Sequence, residues 1–195
     1  MLRRIALLGL ALLLSACESM QVTNDFNPTV DFAQFRTWAW KDPAVQYQPN
    51  NPMLKSDLTE QRIIQAVSSQ LDQRGLRPVA AGGKPDLLVQ TYLIVANRQE
   101  QVVTNYGYGG PWGGPWGGYW GGPWEGYWGP AAYNETRNVI YQVGTLQIDL
   151  TDAKDGRLVW RGSAEKTLND SPTPQERSAA IREAVTKILS NYPPK

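Results

Sequence analysis

The chain has 195 residues, with 19 Lys plus Arg, 18 Asp plus Glu and a formal net charge of +1. This near-neutral balance argues against the basic surface that nucleic-acid binding requires. The sequence holds no His and one Cys. It therefore excludes Ser-His-Asp and Cys-His nucleophile pairs, His-ligated zinc, an intrachain disulfide and a CxxC redox pair.

The first residues have the pattern of a targeting signal. Arg3 and Arg4 form a short basic region, and residues 5–14 form an apolar stretch. As a helix that stretch is about 15 Å long, too short for a hydrocarbon core of about 30 Å. Residues 1–16 are therefore predicted to be a signal peptide rather than a membrane-spanning helix.

The processing site, Leu14-Ser15-Ala16-Cys17, resembles a bacterial lipobox. The resemblance implies diacylglyceryl attachment at Cys17, cleavage before it and N-acylation, for example with palmitate, leaving residues 17–20 as a lipidated tether. The alternative is an ordinary cleaved signal with a coincidental cysteine. In the sorting rule of such lipoproteins, Asp after the cysteine retains the protein at the inner membrane. Glu18 departs from that rule, which favours an outer-membrane protein on the periplasmic face.

Short strands and one clear helix are expected in the first half of the mature chain. Residues 20–26 and 37–40 are predicted strands, the second with Trp38 and Trp40 on one face, and residues 31–35 a single helical turn. Residues 41–52, rich in Pro, Asn and Gln, are predicted to be a loop. A helix is predicted with Asp57 as its cap and Glu60 three residues later, with Arg74 in its last turn before Gly75. It should bury one apolar stripe: Ile63, Ile64, Val67 and Leu71.

The second half alternates predicted strands and a final helix. Residues 87–95 read as a strand buried on both faces, and residues 139–150 as a strand with a bulge at Gly144, where the apolar alternation changes phase. Residues 158–167 are the return strand after a turn. A helix is predicted to begin at Thr173, with Pro174 at its first position and Glu176 completing a capping box.

This order predicts an α+β fold built as a two-layer sandwich. Short hairpin links favour a mostly antiparallel sheet, and two amphipathic helices with single apolar stripes should cover one of its faces. Residues 21–195 are expected to form a single domain, with a long Gly/Pro/Trp hairpin insertion inside it.

Several short motifs in this order resemble a known family. The segments Asp31-Phe-x-x-Phe-x-Thr-Trp-Ala-Trp40, Gly144-Thr-Leu-x-Ile-Asp-Leu150 and Leu158-Val-Trp-Arg-Gly162, followed by the closing helix, are similar to the bacterial lipoproteins with domain of unknown function 4136. The similarity covers residues 20–193 except the insertion. It implies the same fold and lipidation, and brings no enzymatic activity with it.

The insertion, residues 107–129, is a low-complexity Gly/Trp loop. Residues 109–128 repeat with a period of four, and Pro and Gly disfavour both a helix and a regular strand there. The aromatic side chains of this candidate interaction loop are Trp112, Trp116, Tyr119, Trp120, Trp124, Tyr127 and Trp128.

Five Trp rings, each able to bury roughly 150–250 Å², exceed the apolar patch of about 300–600 Å² that is typical of a soluble monomer. Three partners suit them: the membrane interface, the sugar faces of peptidoglycan or lipopolysaccharide, and an envelope protein. The alternative is a neutral expansion of a hairpin loop.

The remaining polar and aromatic clusters have plainer interpretations. Asp149, Asp152 and Asp155 read as turn residues rather than a Ca²⁺ site, because EF-hand spacing is missing. Trp38, Trp40 and Trp160 read as core residues. No catalytic residue, metal ligand or cofactor is predicted. The sequence thus favours a non-enzymatic outer-membrane lipoprotein whose aromatic loop mediates membrane, glycan or protein contact. The alternative is a cell-wall glycan-binding module or glycan-acting enzyme.

Overall fold

The computed structural model describes residues 20–52, 54–80, 82–106, 133–168 and 171–194. The chain divides into two compact units. Unit 1 comprises the chain up to residue 96 together with residues 142–195, and unit 2 comprises residues 97–141. None of the helices in the described ranges is both long and apolar enough to cross a membrane.

Six strands, two α-helices and one short 3-10 turn make up the described chain. In order these are β1 (Gln21–Phe26), a 3-10 turn (Phe32–Gln34), β2 (Thr37–Gln48), α1 (Asp57–Gln73), β3 (Arg77–Pro78), β4 (Leu87–Tyr106), β5 (Tyr133–Asp152), β6 (Leu158–Thr167) and α2 (Pro174–Leu189). The mixed α+β composition agrees with the sequence prediction.

The strands form one mixed sheet in the order β1-β6-β5-β4-β2-β3. β6 pairs antiparallel with both β1 and β5, as hairpin links predict. β2, however, pairs parallel with β4 and β3, which the sequence analysis did not foresee. The link from β2 to β4 contains α1, and a helical crossover of that length returns the chain to the sheet in the same direction.

The predicted loop over residues 41–52 is wrong for its first eight residues, because β2 continues to Gln48. Val45 and Tyr47 are buried and extend the apolar alternation that Trp38 begins. The register shifts between Trp40 and Val45, and Pro43 lies within this irregular stretch. A proline there removes no regular ladder hydrogen bond, so its presence does not end the strand.

The predicted bulge at Gly144 is wrong on the side of β5 that faces β6. Pairing is continuous from Val143 to Leu150, and the register shifts only between Leu150 and Thr151. The phase change in the sequence is instead a change of buried face, with Val143 on one face and Leu146 on the other. A Cβ on Gly144 would lie 2.7 Å from Cδ2 of Leu168, so glycine makes room for that side chain.

Local signals define both helices. The α1 cap is Ser56 rather than Asp57, with its side chain accepting from the Thr59 N–H at 3.4 Å. Gly75 follows α1 with φ +84°, the conformation that favours glycine. At α2 the capping box between Thr173 and Glu176 is confirmed.

The core of unit 1 lies where α1 and α2 pack on each other and on the sheet, α1 against β2 and α2 against β6 and β1. Trp38 and Trp160 are buried in it, which confirms their core assignment, and Trp40 is partly buried with its ring 5.4 Å from that of Trp38. Both buried indole N–H groups have no hydrogen-bond partner within the described ranges.

Gly162 allows α2 to approach β6 closely, and we predict that Gly162→Ala destabilises the fold. The new Cβ would meet the Trp160 ring at 2.5 Å and Cγ2 of Ile188 at 2.6 Å, and both groups are fully buried. Overpacking of this kind costs about 1–3 kcal/mol in free energy of unfolding, measurable by urea denaturation.

Gly144→Ala is the matched control, since its nearest neighbour is the end of the partly exposed Leu168 side chain, which can move. Equal losses of stability in the two variants would contradict the close packing of α2 on β6.

Candidate functional site

The residues that the sequence singles out for function lie outside the described residues. This applies to Cys17 and to the aromatic loop, namely Trp112, Trp116, Tyr119, Trp120, Trp124, Tyr127 and Trp128. The structure does describe the strands on either side of the loop, because β4 extends to Tyr106 and β5 begins at Tyr133. Both strands are longer than the sequence predicted.

Unit 2 presents an exposed strand surface. Its described residues 97–104 and 136–140 are all exposed. The apolar ones among them are Val102, Val103, Val139 and Ile140, with 43%, 53%, 45% and 70% of their surface accessible. Because successive side chains of a strand point to opposite faces, both faces of β4 and β5 expose apolar groups here. We call residues 97–104 and 136–140 the exposed arm.

The exposed arm contains charges of both signs, Arg98, Glu100 and Arg137, and Arg137 is paired locally. The Arg137 guanidinium lies 2.7 Å from the Glu135 carboxylate, two residues away on the same strand face. Such exposed pairs contribute little to stability. The surface of the exposed arm is therefore marked by accessible β-branched side chains and not by a strong net charge.

Unit 1 contains a polar network that the sequence analysis missed. The prediction that Asp149 is a turn residue is wrong, because it lies within β5, where the β5–β6 register places it directly opposite Arg161. Arg161 donates two hydrogen bonds to the buried Asp149 carboxylate, from Nε at 2.7 Å and from Nη2 at 2.6 Å, and Gln147 Nε2 donates a third at 3.0 Å. Sequence alone could not pair residues twelve apart without the strand register.

Neighbouring groups extend this network. The Tyr92 hydroxyl donates to Oε1 of the buried Gln90 at 2.9 Å. Desolvation, followed by the Asp149 charge, raises the pKa of Tyr92, and the hydrogen bond to Asp149 raises the pKa of Arg161. The Asp149–Arg161 pair joins β5 to β6, and Gln90 joins β4 to β2 by donating from Nε2 to the Pro43 carbonyl at 3.0 Å, so these polar groups serve the sheet rather than supplying a free acid or base.

The other two aspartates of the predicted cluster are turn residues, as expected. Asp152 Oδ1 accepts from the Lys154 N–H at 2.8 Å, and Asp155 Oδ1 accepts from the Arg157 N–H at 3.0 Å. Across the described ranges no group of three or more His, Cys, Asp or Glu side chains is arranged to hold a metal ion.

An open cleft of about 460 Å³ lies in unit 1 beside the end of α2, and its lining includes Phe32, Arg36, Arg74 and Tyr192. Arg74 is occupied there, with Nε donating to the Leu189 carbonyl at 2.5 Å and Nη1 to Gln70 Oε1 at 2.6 Å. Burial lowers the pKa of Arg74 and raises that of Tyr192 to about 12. Arg74 therefore joins the end of α1 to the end of α2.

The sequence profile described as Domain of unknown function (DUF4136) matches residues 22–194. The chain belongs to the DUF4136 family. This confirms the family that the sequence motifs resemble, whereas lipid attachment stays a prediction. No curated protein matches the chain.

Solved structures agree at the level of the fold. A DUF4136 family protein from Bacteroides thetaiotaomicron is 23% identical with a TM-score of 0.51, covering 89% of this chain and 96% of that one. A PDZ domain protein from Parabacteroides distasonis is 20% identical with a TM-score of 0.50 over 91% of this chain. This chain spans 37% of the length of the PDZ domain protein. At these identities the likeness shows the DUF4136 fold alone.

We predict that Asp149→Asn destabilises this DUF4136 protein. The change removes the charge that Arg161 binds in a nearly buried site, where the Asp149 side chain is 8% exposed. Losing such a charged hydrogen-bond partner costs about 1–3 kcal/mol in free energy of unfolding, to be measured by urea denaturation.

Asp155→Asn is the control, because Asp155 pairs with Arg157 in an exposed turn and Asn can still accept the turn hydrogen bond. A stability loss in Asp155→Asn as large as in Asp149→Asn would mean that burial of the Asp149 pair is irrelevant.

Proposed function

We propose that this DUF4136 protein is a non-enzymatic lipoprotein of the cell envelope. In this proposal Cys17 carries the lipid anchor, the protein lies on the periplasmic face of the outer membrane, and residues 107–129 contact the membrane surface. The observation that carries the proposal is the exposed arm: two neighbouring strands with accessible apolar side chains lead directly into the Trp repeat.

The finer architecture forms part of the proposal. The two helices form one layer over one face of the sheet, and residues 107–129 form the hairpin insertion that connects β4 to β5. Packing of both helices on each other and on the strands in a single core supports the two-layer arrangement. Adjacency of β4 and β5 in the sheet supports the hairpin connection.

The short tether supports a position next to the bilayer. β1 begins at Gln21, four residues after Cys17. Even fully extended, such a tether spans about 14 Å. Half of the insertion could extend about 35 Å. A lipidated Cys17 would thus leave the bilayer within reach of the aromatic loop from several orientations.

The chemistry of the loop favours the membrane interface among the three partners. Trp gains apolar contact there while its N–H stays hydrated. Glu125 is the only charged residue in the insertion, so anionic lipid would repel the loop little. Glycan and protein partners are the alternatives that the second experiment below distinguishes.

The first experiment tests the anchor. We expect Cys17→Ser to abolish lipid labelling and to release the protein from washed membranes, because the thiol is the acylated group of a lipobox. Ser19→Ala, two residues further along, should leave labelling and membrane retention unchanged. Membrane retention of the Cys17→Ser protein after a salt wash would contradict the lipid anchor as the main attachment.

The second experiment tests the loop. Protein without acyl chains should bind liposomes weakly, with a blue shift of Trp emission that barely responds to salt, because apolar transfer rather than charge drives it. Replacing the five loop Trp with Ala should remove the shift, while the buried Trp38 and Trp160 still report a folded core.

Three other results would each count against the membrane proposal. Unchanged emission with liposomes would shift the assignment to a glycan or protein partner, and purified peptidoglycan then provides the next binding partner to test. Strong salt sensitivity would mean that charge rather than aromatic transfer drives the contact. A shift that survives the five substitutions would place the contact outside the loop.

A further inference from the structure

Unit 2 contains a strand edge without a neighbour in the described sheet. The neighbours of β5 are β4 and β6. The β6 pairing ends where Val143 lies opposite Thr167, and the last backbone contact runs from the Leu168 N–H to the Gln142 carbonyl. Along residues 133–141, therefore, no described strand borders β5 on the side where β6 would continue.

Edges of this kind usually carry a feature that blocks pairing, such as Pro, a charged side chain (Lys above all) or a bulge, and the only charged residues along 133–141, Glu135 and Arg137, pair with each other. Residues 133–141 contain no Pro, Gly or Lys. Where a sheet has only two strands it is less stable than where it has three or more, so a further strand along residues 133–141 would stabilise it. This edge is therefore suited to the addition of another strand.

The sequence along the edge is complementary to itself. In an antiparallel pair centred on Thr136, residue 135 lies opposite residue 137, 134 opposite 138, and 133 opposite 139. That register joins Glu135 to Arg137 twice, Asn134 to Asn138 twice, Tyr133 to Val139 twice, and Thr136 to itself. Opposite charges, Thr pairs and aromatic with β-branched residues are the cross-strand pairs that stabilise sheets.

We propose that two copies of this chain associate through this edge, β5 against β5 in antiparallel register, about a two-fold axis at Thr136. A two-fold interface uses the same patch on both copies, which this self-complementary register supplies. Among these side chains Arg137 and Glu135 are 73% and 37% exposed, and residues 136, 138 and 139 are also exposed. The proposal is independent of the lipid anchor and of the partner of the aromatic loop.

Cross-linking tests the register in the full chain as purified. Only position 136 meets its own copy directly, so Thr136→Cys should form a disulfide-linked dimer in high yield on mild oxidation. Asn138→Cys lies on the same strand edge but not opposite its own copy. Its yield of disulfide-linked dimer should therefore stay near that of the parent chain, whose sole cysteine is Cys17. Gln99→Cys, in β4, tests the alternative that two copies pair through β4 rather than β5. Equal yields at positions 136 and 138, or a dimer only at 99, would overturn the proposal.

A charge swap tests the same contact without a cysteine. Arg137→Glu places like charges opposite each other twice, and we expect roughly tenfold weaker dimerisation by sedimentation in mild detergent. The double variant Glu135→Arg/Arg137→Glu restores both opposite-charge pairs and also the exposed pair within each strand. It should therefore dimerise like the parent chain.

Mixing the double variant with the parent chain is the most selective test of the proposed register. The double variant mixed with the parent chain pairs Glu with Glu and Arg with Arg, so the two should form separate homodimers and few mixed dimers. Thermal unfolding should be the same for all these exposed variants, which shows that they are folded. Free mixing of the two, or a double variant that does not dimerise, would overturn the proposal.

Discussion

The burial of the Trp160 ring between β6 and α2 is the constraint on which unit 1 depends. The ring is fully buried, its edge lies where a side chain on residue 162 would be, and Tyr192 packs on it edge to face at 5.6 Å. α2 can approach the sheet this closely only because residue 162 is glycine. The buried apolar contact is also large, since an indole can remove roughly 150–250 Å² from water.

Polar contacts join neighbouring strands around this core. Asp86, just before β4, accepts from the backbone N–H groups of Arg36 and Thr37, both at 2.9 Å, and so joins the starts of β2 and β4. These hydrogen bonds lower the pKa of Asp86. The Asp149–Arg161 pair likewise joins β5 to β6 in the antiparallel part of the sheet. Both of these carboxylates are therefore bound within unit 1, where they join strands.

Local chemistry decided what the sequence could predict. The Thr173–Glu176 capping box and Gly75 each act within one helical turn. The sequence could therefore predict the start of α2 and the end of α1. The parallel return of β4 beside β2, the extension of β2 past Pro43 and the Asp149–Arg161 pair depend on strand register, which a single sequence does not specify. The exposed arm was missed because its strands lack the one-sided apolar alternation that marks a packed strand.

The contrast between the units underlies the functional account: unit 1 buries Trp38 and Trp160 in its core, whereas unit 2 exposes β-branched side chains and contains the segment with five Trp. The most direct measurement is photocross-linking in living cells from a reactive amino acid at Trp120, with Lys154 in a unit 1 turn as the comparison site. The account predicts abundant cross-links to membrane lipid from position 120 and few from position 154. Equal labelling at both positions, or none from position 120, would contradict it.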